Sequence, residues 1–464
     1  MSPSLALTVW AAGVLGLFYL DRERGATPSK ALWLPTLWLL INGSRPVTMW
    51  LGMQPAVSMQ QQIMDGTPAD AAVFGVLLAL GLVVVWRRRR LAGAVLRQAW
   101  PVLIYFGYCL ASVLWSNIAD VAAKRWVKSL GDLAMVLVVA TEPDLALALR
   151  RLFSRTAILL LPASILFIRY FPALGRSFDP WSGAPTNVGV TTNKNILGAV
   201  AFLLALGALW QVLSLASEKL APGRRRRLLA QFAILVVAVF VLQQAHSATS
   251  ISAALFGGAL ILATLLPMMR RPAMVHAIVA FILVGGLLAF WLGAEGAVTH
   301  ELGRKSDLTG RTEIWHGVLA QAALSPIVGV GFESFWTGPN LLAVSRRLPH
   351  FEGSGFANEA HDGYIEVYAE VGMVGLTLII GILVGAYRRA VRAFALNPMA
   401  GRLMLGYVAA LAIYNITEAG FRMLSMAWIF LLLAVICAAR IVCQAQSAPL
   451  ESPAAQAQAM EVPA

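Results

Sequence analysis

Long apolar runs alternate with short polar connections along the whole chain, and most runs have about 17 to 22 residues, enough to cross a hydrocarbon core roughly 30 Å thick. They predict spans near 4–20, 31–52, 68–86, 99–116, 121–140, 156–172, 193–216, 228–245, 249–268, 273–293, 361–387, 403–416 and 423–441. The expected fold is all-α, a polytopic integral membrane helix bundle of about 12–13 spans. It divides into a membrane bundle (1–293), one large loop (294–360), further membrane helices (361–443) and a tail (444–464). The tail is Ala-, Gln- and Pro-rich with few large apolar residues, so it is expected to be disordered. The first twenty residues lack the basic n-region and small-residue cleavage site of a leader and read as the first span.

Composition agrees, with 59% hydrophobic and 13% charged residues and a mean hydropathy of +0.72. The net charge of +13 suggests a nucleic-acid partner until its placement is considered. With these spans, 23 of the 36 Lys and Arg fall in alternate connections, including the RRRR runs at 87–90 and 224–227. That is the positive-inside pattern, so these loops are expected in the cytoplasm and the charge is topology signal. The three cysteines, Cys109, Cys437 and Cys443, lie in apolar segments without metal-like spacing.

The remaining basic residues oppose that orientation signal and call for another reason. They are Arg45, Lys124, Arg125, Lys128, Arg169, Arg176, Lys194, Arg304, Lys305, Arg311, Arg346, Arg347 and Arg422. Singly, each can snorkel to head groups or pair with Asp120, Asp132, Asp179 or Glu418. As a set they suggest an anionic ligand on the outer side. The 294–360 loop falls on that side. Within it, "LTGRTEIWHGVLAQAALSPIVGVGFESFW" (308–336) predicts a helix capped by Thr309, with Ile314, Trp315, Val318, Leu319, Ala322 and Ala323 on one apolar face. Such a helix is expected on the membrane surface, with Arg311 at its anion-attracting N-terminus. An ordinary surface helix with solvated charges fits the same pattern.

"NEAHDGYIEVYAEVGMVGL" (358–376) sets His361, Asp362, Glu366 and Glu370 at the mouth of a span. Spacing of four places the three carboxylates on one helical face. A histidine in the first turn would feel the positive end of the helix dipole and stay neutral, able to accept a proton. Capping and ion pairing explain the same residues without catalysis.

These residues resemble a family. "GRTEIW" (310–315), Pro326-x-x-Gly329-x-Gly331, and His361-Asp362 followed by Gly372-x-x-Gly375 are similar to the O-antigen ligase and polysaccharide polymerase superfamily. "LWSNIADVAAKRWVKSLGD" (114–132) and "TTNKNILGA" (191–199) resemble its upstream signatures, especially in the exopolysaccharide polymerase branch. The likeness runs from about 110 to 380; Asp362 stands where Asn, Ser or Gln is usual, Asn193 where His often precedes Lys-Asn, and "HSATS" (246–250) lacks the arginine often found beside its serine.

The resemblance implies transfer of a glycan carried on undecaprenyl diphosphate to an acceptor hydroxyl, at the periplasmic face of the bacterial inner membrane, without cofactor or metal. It implies His361 as general base and Arg311 as leaving-group stabiliser. Arg125, Lys128, Lys194 and Arg304 are then candidate diphosphate contacts, and Asp362 or Glu366 candidates to orient the imidazole. The expected partners are the lipid-linked oligosaccharide, a glycan acceptor, the bilayer and other polysaccharide assembly and export proteins, with no nucleic acid. Polymerase is the expected activity and O-antigen ligase the first alternative. A transporter of the lipid-linked glycan is the second, although the chain has no convincing internal repeat; a non-catalytic assembly partner would need the loop but not His361.

Overall fold

In the computed structural model, residues 2–23, 27–53, 67–178, 183–218, 223–291, 308–348 and 359–447 are described. The chain folds into helices α1 (Pro3–Asp21), α2 (Trp33–Asn42), α3 (Pro68–Arg87), α4 (Arg89–Gln98), α5 (Trp100–Ser112), α6 (Ala119–Ala140), α7 (Leu145–Tyr170) and α8 (Lys194–Ser217). There follow α9 (Arg224–Ala245), α10 (Ala248–Ala263), α11 (Pro272–Trp291), α12 (Leu308–Ala322), α13 (Gly338–Arg346), α14 (Gly363–Leu396), α15 (Pro398–Tyr414) and α16 (Met426–Ser447). A short antiparallel hairpin between α7 and α8 pairs Arg176 with Asn187.

Sequence punctuation sets many helix starts. Ser2, Thr67, Asp144, Asn193, Ser247 and Asn397 each cap a helix by accepting a backbone N–H. Pro3, Pro68 and Pro398 occupy first-turn positions where no N–H is needed.

Every predicted span contains helix among the described residues, and the chain is an all-α, multi-pass membrane protein. The span count is lower than expected. Among the described residues, seven helices qualify by length and composition, or eight if α4 and α5, which meet at 90°, form one broken span. The difference has local causes. Helices α2, α10 and α15 have only 10, 16 and 17 residues, and α6 carries Asp120, Lys124, Arg125, Lys128 and Asp132.

Burial orders the bundle. The most apolar window of α16 is 94% buried and forms the axis, whereas that of α1 is 11% buried, with Leu5, Leu7, Val9 and Leu15 facing outward. Around α16 pack α6, α14 and α15, all with long apolar contact faces.

Helix α12 does not simply lie on a surface. Ile314, Val318 and Ala322 form a second core with Phe335, Trp336, Val344, Leu348 and Ala360 against the start of α14. Its buried face is narrower than the sequence suggests, since Leu319 and Ala323 are exposed, and Thr309 falls inside the helix rather than at its cap. The tail beyond Ser447 and the loop residues 292–307 and 349–358 lie outside the described residues, as do Arg304 and Lys305.

Candidate active site

The site forms where the turn after α12, the start of α14, the N-terminal part of α6 and the α15–α16 connection meet. Helix α14 is broken at Gly372, whose φ of 68° is open to glycine at little cost. The break leaves backbone groups without helical partners, and the glycine-rich turn supplies them. Gly331 N–H donates to Glu370 O at 2.8 Å, Met373 N–H to Pro326 O at 2.9 Å and Val374 N–H to Ile327 O at 3.2 Å. A Cβ at Gly329 would run into the backbone of Glu370 and Gly372, and one at Gly372 into that of Ile327. Both glycine motifs therefore serve one backbone-to-backbone joint.

That joint carries Glu333 to the carboxylates of α14. Glu333, at a φ of 51°, accepts Met423 N–H at 3.0 Å. Glu366 accepts Trp336 Nε1–H at 2.6 Å and Ala360 N–H at 2.8 Å. Glu370 accepts Ser334 N–H at 3.2 Å. All three are buried. The guanidinium of Arg422 stands among them, 3.8 Å from Glu333, 3.6 Å from Glu366 and 3.6 Å from Glu359. Burial opposes its charge, but Glu333, Glu366, Glu359 and Glu370 hold it more firmly protonated than an ordinary arginine.

His361 sits beside this group at a φ of 50°, strained for a side-chain-bearing residue. Its Nδ1 is 3.0 Å from Glu359 and 3.6 Å from Glu418. Glu418 also takes Arg311 Nη2 at 3.0 Å, and Arg311 Nη1 donates to Thr417 O at 2.6 Å. One buried carboxylate thus spans the histidine and the arginine that the sequence singled out. The donor atoms of Glu359, His361 and Glu418 lie within 4.8 Å of one another.

Two sequence expectations change here. His361 precedes the helix, with Asp362 as its N-cap, so it is not in the first turn. Burial would lower the imidazole, but Glu359 and Glu418 outweigh burial and hold it above the ordinary histidine value, against the direction expected from the helix dipole. Asp362 accepts Tyr364 N–H and Ile365 N–H at 2.8 and 2.9 Å through Oδ1. Burial pushes it up to about 6 against those two bonds. The carboxylates beside the imidazole are thus Glu359 and Glu418, while Asp362 caps and Glu366 pairs with Trp336, Ala360 and Arg422.

The other candidates are distributed. Arg125 donates to Glu333 O and joins the site. Lys128, one turn further along α6, has Arg125, Asp70 and Lys124 as charged neighbours. Lys194 is the first residue of α8, directly after its cap Asn193. Arg304 lies outside the described residues.

The upstream motifs also find positions. Ser116 bonds Ser334 at 2.8 Å, and Asp132 accepts Trp38 Nε1–H at 2.8 Å and Leu424 N–H at 2.9 Å, so "LWSNIADVAAKRWVKSLGD" holds both the glycine turn and the α15–α16 connection. Gly198 of "TTNKNILGA" lies against Ser250 of "HSATS", and Thr249 bonds Thr417 at 2.7 Å, next to Glu418. The sequence reading missed the roles of Glu333, Glu359, Glu418 and Arg422. The available signal was a Glu and an Arg in "NITEAGFRMLS" (415–425), ionisable groups between two apolar helices.

Residues 232–380, which run from α9 into α14 and include His361, match the O-antigen ligase family model. The chain is 28% identical over 327 residues to the exopolysaccharide production protein ExoQ of Rhizobium meliloti (strain 1021), over 69% of this chain and 71% of that protein. Both matches support the O-antigen ligase and polymerase-like family that the motifs indicate.

Proposed function

We propose that this protein of the O-antigen ligase and polymerase-like family is a polymerase that joins oligosaccharide repeat units carried on undecaprenyl diphosphate. The observation that carries the reading is the single carboxylate of Glu418 between Arg311 and His361. With Nδ1 turned toward Glu359 and Glu418, the imidazole has Nε2 left to receive a proton. The acceptor hydroxyl attacks the anomeric carbon, His361 takes its proton, and the bond from that carbon to the diphosphate oxygen breaks. Arg311 stabilises the departing diphosphate, with Arg125, Lys128, Lys194 and Arg304 as further contacts along its path. Because the base must be neutral to take the proton, activity rises as pH climbs through the imidazole pKa.

The reading needs no metal. Arg311 and Arg422 meet the charge of Glu418 and Glu359, the carboxylates beside the histidine. Purified protein is expected to keep its activity in chelator; loss restored by a divalent ion would overturn this.

The site is proposed to face the periplasm of the inner membrane. Reporter fusions at 225 and 340 then give opposite signals, and matching signals would refute the orientation. The ligase alternative has the description of the matched family model in its favour. A strain lacking the protein separates them: polymer reduced to single repeat units supports the polymerase, whereas full-length polymer left unlinked to lipid A core supports the ligase.

A further inference from the structure

At the far end of α14 from the carboxylates, a groove of about 430 Å³ opens between that helix and the α4–α5 corner. Leu378, Gly381, Val384 and Gly385 form an apolar floor, and Arg388, Arg389 and Arg392 stand at its end, with Gln98 and Trp100 across from them. A Cβ at Gly381 would meet nothing within 4 Å, so the floor is open there.

Several arginines at this end of the bundle are answered by carboxylates. Arg88 pairs with Glu142, Arg150 with Glu218, Arg151 with Asp21 and Arg227 with Glu23. Among the described residues, Arg388, Arg389 and Arg392 have no carboxylate partner, and Arg389 Nη1 is buried without a hydrogen-bond acceptor. An unanswered buried guanidinium nitrogen is costly, so an acceptor from outside the protein is called for.

The depth of the groove indicates the source. Helix α4 crosses the end of α5 at 90°, buries Ala92 and Val95, and exposes Arg89, Arg90 and Arg97, as an amphipathic helix does in the plane of a membrane surface. Trp86 and Trp100 flank it and are exposed, at the level where indole rings collect. The arginines thus sit at head-group depth, and the glycine floor runs from them along the apolar part of α14.

We propose that this groove is a binding site for an anionic phospholipid, its phosphate held by Arg388, Arg389 and Arg392 and one acyl chain lying along Leu378 and Gly381. The site is separate from the proposed chemistry: beyond the break at Gly372, 17 residues of helix lead to Arg389, which is about 25 Å of rise.

Native mass spectrometry of the full chain released from detergent, titrated with phosphatidylglycerol or phosphatidylcholine, tests this. One phosphatidylglycerol is expected to stay bound under conditions that strip phosphatidylcholine. Arg388→Gln/Arg389→Gln/Arg392→Gln should weaken retention roughly 100-fold, the loss expected when three basic residues at a membrane surface are neutralised. Gly381→Leu keeps every charge, improves helix propensity and fills the floor, so it should also release the lipid, and it decides the matter if the triple variant folds poorly. Arg150→Gln, at a paired arginine, should leave retention unchanged. Equal binding of the two lipids, undiminished retention in Gly381→Leu, or equal loss in Arg150→Gln would overturn the proposal. So would displacement by inorganic phosphate at concentrations matching the lipid, which would mark a free-anion site.

Discussion

Arg88 and Arg422 both reach buried carboxylates, at opposite ends of α6. Arg88 meets Glu142 at 2.7 Å and Ser29 Oγ at 2.9 Å, a close pair that ties α3 to the end of α6 and the start of the chain. Arg422 is shared among Glu333, Glu359 and Glu366, none nearer than 3.6 Å. A one-to-one contact at hydrogen-bond distance fixes two elements and leaves little charge to act on anything else. A guanidinium spread over several carboxylates at longer range leaves negative charge in excess, and it can shift as that charge changes. A close pair alone therefore marks the fastened end, whereas the end where chemistry is proposed sets the shared Arg422 beside the close Arg311–Glu418 pair.

The largest effect expected at the shared end is that of His361→Ala. Loss of a general base costs roughly 10²–10⁴-fold, so polymer formation should nearly vanish while the protein still inserts and binds the lipid-linked donor. Normal product at normal expression would make the histidine structural. Arg311→Lys should also be severe, because an ammonium cannot hold both Thr417 O and Glu418 while meeting phosphate in a forked geometry.

Arg422→Gln comes next. It leaves three carboxylates facing one another and should destabilise the protein by about 3 kcal/mol, the low end for removing one partner of a buried charge. The low end applies because its side chain is itself 31% exposed. Thermal unfolding in detergent measures this, and Glu333→Gln added to the variant should recover part of the loss. An unchanged melting temperature would show that the carboxylates are relieved by something other than Arg422.

Glu359→Gln should move a pH profile rather than abolish activity. Burial lowers the imidazole and Glu359 is the largest influence raising it, so removing that charge lowers its pKa. The neutral base then persists to more acidic pH, and the acid limb of kcat/KM should shift downward. An upward shift, or none, would separate the limb from His361. The smallest effect belongs to the fastened end: Arg88→Gln should cost about 1–2 kcal/mol of stability, since Glu142 keeps its bonds to Ser29, and leave kcat/KM unchanged.

Much of the fold was legible because its causes are local. Apolar run length set the helix positions, and Pro with Asn, Asp, Ser or Thr set many of their starts. The span count was less so: helices such as α10 and α15 are apolar but short, and membership of a bundle does not require full crossing length. His361 and Arg311 were singled out by resemblance, and the fold brings both to Glu418. Their partners were not, because Glu418 and Arg422 lie far along the chain in a connection with no motif of its own, and only packing of α14 against α15 and α16 brings them close. The helix-dipole argument took account of the local helix and omitted two carboxylates that raise the imidazole, one of which arrives from 57 residues away.

The break at Gly372 offers a direct readout of how the extramembrane turn is seated. In an uninterrupted helix the amides of Met373 and Val374 would be held by carbonyls of their own turn, but here they are held by Pro326 and Ile327. Their hydrogen exchange therefore follows release of the turn rather than fraying of α14. Exchange at these two amides that rises while the rest of α14 stays protected would report the turn lifting from the helix, and slowing of that exchange when a lipid-linked donor is added would show that the donor stabilises the closed joint.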